Sequence, residues 1–296
     1  MTEERKQEIL EIIRNTNRRP AQTGKPLYPE EIMAYPNLCE EIESISRTVD
    51  GFSYRMDILR AKNRPLFINI HGGGFIGPHR ENDTYFSAYM ADQIHGIAVD
   101  LDYTLSDAAP YPVALHQCMD ALDYVAEHAN TWGASAKDIS VGGYSAGGAL
   151  TAAMGICCAE RGGFVPKLQI LCYPPLEYRI PDQYKIDAYD RQIGMERCKA
   201  FADLYFDDKK ENFEDIHNSP LYAPREILAK QPKTLILSAG LCNFRYEDED
   251  YAICLADAGA EVILKRFPEA SHGFIPHFMD GWKEAADLMV REILEK

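Results

Sequence analysis

The sequence has no apolar run long enough to cross a bilayer. Its longest nearly apolar stretch, Gly148 to Ala159, falls well short of the roughly 20 residues that a membrane helix needs. A signal-peptide-like start is also missing, because Met1-Thr-Glu-Glu-Arg-Lys-Gln-Glu is dense in charge, and the expectation is a soluble, cytoplasmic protein. Basic residues are scarce, 31 Lys and Arg against 46 Asp and Glu for a net charge of -15. Polyanions recruit basic clusters, so no nucleic-acid partner is expected. No C-x-x-C pair occurs, and the eight cysteines, Cys157 and Cys158 among them, read as reduced core residues. The absence of H-E-x-x-H and of a Cys/His quartet argues for no metal and no cofactor. Linkers, low-complexity runs and internal repeats are lacking too. The 296 residues, 46% hydrophobic, therefore read as one domain able to bury a large core.

What is present is an alternation. Ile9, Ile12 and Ile13 at helical spacing predict an amphipathic helix over Glu3 to Asn17, ending before Pro20. Glu41 to Val49 and Phe52 to Arg60 flank Asp50-Gly51, a dipeptide suited to a tight hairpin, and predict an antiparallel pair at a sheet edge. Six apolar runs follow, at residues 66–70, 96–101, 139–141, 168–173, 234–238 and 262–266, with helical patterns between most of them. Strands alternating with helices imply an α/β fold, a mostly parallel sheet of about eight strands covered on both faces. The polar and aromatic stretch between Tyr178 and Pro232 interrupts this order, with one helix expected over Met195 to Tyr205. Residues 1–40 and 178–218 are expected to form a small cap over the carboxyl ends of the strands, where open α/β sheets bind ligands.

Three motifs carry chemistry. Gly143-Tyr-Ser-Ala-Gly147 fits G-x-S-x-G, a sharp strand-to-helix elbow that lifts the hydroxyl of Ser145 clear of the sheet. His71-Gly-Gly-Gly-Phe75 follows an apolar run and exposes backbone NH groups that can hold a developing oxyanion. A phosphate loop would need a Lys or Ser/Thr after the glycines, or G-x-G-x-x-G before a helix, and neither occurs. Phe267-Pro-Glu-Ala-Ser-His-Gly-Phe274 places His272 after the last strand, where the chain order Ser, acid, His puts the general base.

Together HGGGF, GYSAGG and the terminal HGF resemble the hormone-sensitive-lipase-like branch of the α/β-hydrolases, the group of bacterial carboxylesterases and acetyl esterases. The likeness runs from about Pro65 to the end and takes in Asp102-Tyr-Thr-Leu, Pro110-Tyr-Pro112, Tyr173-Pro and Ser219-Pro-Leu221. It implies an α/β-hydrolase fold, a cap, and ester hydrolysis through an acyl-serine. It also implies oxyanion donors at the backbone NH groups of Gly73, Gly74 and Ala146.

The chain departs from that pattern at three places. Cys242 stands where the family has its histidine-supporting aspartate, Tyr144 replaces the acid before the nucleophile, and Thr104 replaces an arginine. A neutral thiol stabilises an imidazolium poorly, and a thiolate would keep the ring protonated at rest. Glu247, Asn243 and Glu177 are the nearby substitutes, with Glu247 preferred as the acid because a carboxylate supports the charged ring better than an amide. Its other reading is a negative charge at a helix start, Glu247-Asp-Glu-Asp250. The expected function is a serine carboxylesterase acting on short-chain, acetyl-type esters, slow or with a relocated acid. A non-catalytic small-ligand binder on a hydrolase scaffold, or an amidase or peptidase, are the alternatives. Tyr173, Tyr178, Tyr184, Tyr189 and Tyr205 suggest an aromatic-lined pocket for sugar or aryl esters. The expected partner is a small ester substrate, with self-association into a homo-oligomer compatible with the sequence.

Overall fold

The computed structural model describes residues 1–16, 28–62, 64–180 and 193–295. Its eight strands are β1 (Glu41–Val49), β2 (Phe52–Arg60), β3 (Leu66–Ile70), β4 (Ile97–Asp102), β5 (Ile139–Tyr144), β6 (Leu168–Cys172), β7 (Lys233–Ala239) and β8 (Val262–Phe267). They form one sheet in the order β1-β2-β4-β3-β5-β6-β7-β8. Only β2 runs against its neighbours; from β4 to β8 every pairing is parallel. The edge hairpin forms as expected. Val49 pairs with Phe52 across Asp50 (φ 53°) and Gly51 (φ 84°), both in the left-handed region that a two-residue loop needs.

Ten α-helices are described: α1 (Glu3–Asn15), α2 (Glu30–Met33), α3 (Glu81–Gln93), α4 (Val113–His128), α5 (Ala146–Arg161), α6 (Met195–Phe206), α7 (Lys210–Glu214), α8 (Arg225–Leu228), α9 (Arg245–Ala258) and α10 (Trp282–Leu294). The central strands β3, β5 and β6 are buried along their whole length, as strands covered on both faces must be. One core layer sets Leu115 and Leu122 of α4 and Leu150 of α5 against Ile68, Val99 and Val141. The other sets Phe86 of α3 and Met289 and Ile293 of α10 against Phe67, Ile170 and Leu237. No helix among the described residues is long and apolar enough to cross a membrane.

The expected amphipathic face of α1 finds its partner in α6. Ile9 is fully buried against Ala200 and Leu204, with Ile12 and Ile13 packed beside them. Arg5 adds an ion pair to Asp203 at 3.2 Å. The expected helix over 195–205 is α6, one residue longer. The short α7 and α8 carry too few residues to show a helical period and were not expected.

Candidate active site

The elbow forms where β5 meets α5. Ser145 has φ 53° and ψ -118°, a conformation that L residues rarely adopt, and its NH donates to the carbonyl oxygen of Cys172 at 2.9 Å. The turn is tight enough to require glycine at position 147, where a Cβ would lie 2.1 Å from the carbonyl oxygen of Ile70. The hydroxyl thus stands at the first turn of α5, beyond the carboxyl end of the sheet.

The glycine loop follows β3 directly, and β3 lies beside β5 with Ile70 paired to Gly143. Gly73 (φ 119°) and Gly74 (φ 63°) turn the chain back on itself, and Gly77 NH donates to Gly73 O at 2.8 Å. Among the described residues, no backbone acceptor takes the NH groups of Gly73, Gly74 or Ala146. Phe201 of α6 lies directly over Gly74, where a Cβ would come within 2.4 Å of its ring. His71 is held away from the chemistry: its Nδ1 bonds the Gly72 carbonyl at 2.7 Å and its ring stacks on Tyr103 at 4.3 Å. Burial lowers its pKa to about 4. His79, in the same loop, pairs with Asp100 at 2.7 Å.

His272 sits in the turn after β8 and connects two groups. Its Nε2 lies 2.9 Å from Ser145 Oγ, and its Nδ1 lies 3.0 Å from Cys242 Sγ. Tyr173 and Phe244 set their rings edge-on to the imidazole, at 5.0 and 5.6 Å. Burial, followed by the charge of His277, lowers the ring's pKa to about 3. The Cys242 thiol moves the other way, well above its usual range, through burial first and the nearby Asp248 second. Imidazole and thiol are both neutral. The sulfur also accepts the Phe244 NH at 3.4 Å, which orients a lone pair rather than a proton along that direction.

The substitutes for the missing aspartate point elsewhere, and the expectation that Glu247 supports His272 is corrected. Glu247 Oε2 accepts the backbone NH groups of Leu176 (2.7 Å) and Glu177 (3.0 Å), securing the chain after β6. A carboxylate that satisfies two buried NH groups has a structural duty, and its place in the first turn of α9 suits its charge. Glu177 accepts from Arg179 and Ile180, and Asn243 donates to the Ile193 carbonyl at 3.0 Å. Tyr144 turns into the core, edge-on to Phe86 at 5.5 Å, and Thr104 bonds Gln117 at 2.8 Å and Ser53 O at 3.2 Å.

Ser145 and His272 open into a cavity of about 980 Å³, bounded by the glycine loop on one side and by α1 and α6 on another. Of the five tyrosines expected around it, Tyr173 and Tyr178 line it, while Tyr205 is buried and stacks on Phe75 at 3.7 Å. Tyr184 and Tyr189 lie outside the described residues. The sequence reading missed Arg14, Arg80, Asp83, Arg197 and Phe201 on the cavity wall. They come from three separate segments with no shared motif, and only the tertiary packing of α1, α3 and α6 brings them together.

Residues 67–276 match the family profile described as the alpha/beta hydrolase fold. Among curated proteins, the chain is 30% identical to Esterase LipI of Mycobacterium tuberculosis over 216 residues, 71% of this chain and 66% of LipI. It is 31% identical to Carboxylic ester hydrolase LipN of the same organism over 239 residues, 75% of this chain and 60% of LipN. The match therefore spans 60 to 66% of the length of these two relatives. Among solved structures, a thermostable esterase from Pseudomonas putida ECU1011 superposes with a TM-score of 0.74 at 26% identity, covering 98% of this chain and 95% of that one.

Proposed function

We propose, from the premise that this chain belongs to the α/β-hydrolase fold family, that it is a serine carboxylesterase. The observation that carries the reading is the continuous line Ser145–His272–Cys242, whose first two members line the cavity, beside a glycine loop whose NH groups at Gly73 and Gly74 no described backbone acceptor takes. In this mechanism His272 Nε2 takes the proton of Ser145 as Oγ attacks the ester carbonyl. The tetrahedral oxyanion is received by the NH groups of Gly73, Gly74 and Ala146, and collapse expels the alcohol, which takes up the proton that His272 holds. Water then repeats the sequence on the acyl-serine. The productive tautomer carries hydrogen on Nδ1 and donates it to Cys242 Sγ.

A sulfur acceptor holds that tautomer but supplies no negative charge to the imidazolium that forms. In the Ser-His-Asp enzymes, loss of the acid partner costs about 10⁴ in turnover while substantial catalysis over water survives. The reading is therefore of a slow esterase. We take 1–296 as one hydrolase domain capped by elements within 1–40 and 178–218, because Ile13 and Arg14 of α1 and Arg197 and Phe201 of α6 border the cavity. Acetyl-type acyl groups follow from the family likeness, and a cavity of about 980 Å³ leaves most of its room to the rest of the ester.

The test is labelling with a serine-directed aryl phosphonate alongside hydrolysis of an aryl acetate. Adduct on Ser145, with at least about a thousandfold loss of turnover in His272→Ala, is the expected result. A folded protein that neither takes the label nor hydrolyses the acetate is a binder on a hydrolase scaffold.

A further inference from the structure

The glycine loop holds a shape that its own residues do not all prefer. Gly73 (φ 119°), Gly74 (φ 63°) and Phe75 (φ 62°) follow one another with positive φ, and Phe75 carries a side chain. The left-handed region is costly for a residue with a Cβ, and such a residue stays there where the surrounding structure dictates it. Backbone bonds brace the loop from two sides: the Phe75 carbonyl accepts the Ser106 NH at 2.8 Å, and the Gly73 carbonyl accepts the Gly77 NH at 2.8 Å.

Two side chains of α6 press on the same residues. Tyr205 lays its ring parallel to that of Phe75, with centroids 3.7 Å apart and 3° between the planes. Aromatic pairs left to themselves favour offset or edge-on contacts, so packing imposes this face-to-face pairing rather than attraction between the rings. Four residues earlier, and so beside Tyr205 on the helix surface, Phe201 lies over Gly74. Tyr205 is itself fixed. It is buried in the core cluster that holds Phe75, Ala202 and Phe206, its carbonyl accepts the Tyr111 NH at 2.8 Å, and the Tyr111 ring stands edge-on at 5.8 Å.

We propose that Tyr205 and Phe201 are positioning residues for the reaction: bearing on Phe75 and Gly74, they fix the direction of the loop NH groups that receive the oxyanion. The proposal rests on the serine-esterase reading and assigns a duty to two side chains outside the line Ser145–His272–Cys242. An oxyanion donor has to lie about 2.7–3.1 Å from where the charge develops, and misplacement by about 1 Å can cost on the order of a hundredfold in rate. Phe75 is one peptide from Gly74, so a relaxation of its φ re-aims the peptide planes that carry those NH groups. The loss belongs to the transition state, because the neutral carbonyl of a bound ester gains little from the donors, and KM should hardly register it.

The test compares Tyr205→Leu, Tyr205→Phe and Phe201→Leu with the parent, in turnover of an aryl acetate and in the Ki of phenyl trifluoromethyl ketone. Ser145 Oγ adds to the ketone carbonyl while its proton passes to His272, which leaves a hemiketal oxyanion with no leaving group to expel. Tyr205→Leu should lower kcat by roughly tenfold to a hundredfold with KM within about threefold, and should raise Ki by a matching factor. Tyr205→Phe keeps the ring and should restore both to within about threefold, and Phe201→Leu should show a smaller loss with the same parallel. A folded Tyr205→Leu protein with the parent's kcat overturns the proposal and leaves the esterase standing. So does a fall in kcat with Ki unchanged, which marks packing damage away from the donors. Should Tyr205→Leu fail to fold, Phe201→Leu, whose ring borders the cavity, decides by the same two readings. A parent that hydrolyses no acetate and takes no phosphonate at Ser145 overturns the esterase and this proposal together.

Discussion

Two imidazoles of this protein, His79 and His272, are both largely shielded from water and differ in the atom they face. Burial opposes charge on His79, but the Asp100 carboxylate at 2.7 Å overrides it and lifts the ring's pKa to about 9. Burial acts alike on His272, where a neutral thiol supplies no counter-charge and the pKa falls to about 3. The difference teaches that burial alone does not make a buried histidine a good base; the partner on the far nitrogen does. This chain builds a histidine–aspartate pair beside the glycine loop and places a histidine–thiol pair behind the serine. The second is the weaker base, and a base far below the working pH abstracts a proton with little driving force.

Removing the counter-charge from the stronger pair should have the largest effect. Asp100→Asn leaves a shielded imidazole without its hydrogen-bonded carboxylate, and urea unfolding near neutrality should show a loss of about 3–5 kcal/mol. The pH dependence follows from the direction of the shift. The folded pKa of His79 is raised above its unfolded value, so its contribution is complete below pH 6.5 and is lost as pH rises through about 9. The gap between parent and variant should therefore narrow on the alkaline side. For His272 the folded pKa is depressed, so its contribution is present above pH 6.5 and drains away as pH falls toward about 3. A parent stability curve without losses on both sides would break the comparison.

Converting the weaker pair into the stronger comes next. Cys242→Asp should raise kcat on an aryl acetate by about tenfold to a hundredfold with little change in KM. The pH profile of kcat should gain an acid limb near neutrality, because the raised imidazole pKa enters the measured range; the parent should be flat there. A drop in turnover with an intact fold would show that carboxylate and site are incompatible. The smallest change is expected of Glu247→Gln, which keeps an acceptor for Leu176 and Glu177 while losing charge. It should cost about 1 kcal/mol in unfolding, alter kcat less than about threefold and leave the pH profile in place. A loss comparable to that of His272→Ala would return Glu247 to the role of acid.

Much of the frame was readable because local chemistry and global fold agree. Asp50-Gly51 demanded a hairpin and formed one, and the alternation of apolar runs with amphipathic helices set the sheet. Ser145 was picked out by an elbow whose glycines the bend dictates, and His272 by its place after the last strand in the order Ser, acid, His. Cys242 was found by counting along the chain after β7, and the structure brings its sulfur to His272. The destination of Glu247 was hidden because its partners, Leu176 and Glu177, lie about 70 residues away and meet it only when the loop after β6 packs on α9. The pairing of His79 with Asp100 was hidden likewise, since it depends on β3 and β4 lying side by side. Arg14, Arg80 and Arg197 belong to segments with no common periodicity, so nothing along the chain announces that they converge.

The ring of Phe201 resting on Gly74 ties two parts of the machine together. Its helix, α6, is clasped by α1 through Ile9 and through Arg5 with Asp203, so on the proposed esterase reading a change that lifted that clasp would also uncover the glycine loop. If that reading holds, access to the serine and cover of the glycine loop are coupled through one helix, and a stiffer clasp would trade turnover for shelter from water.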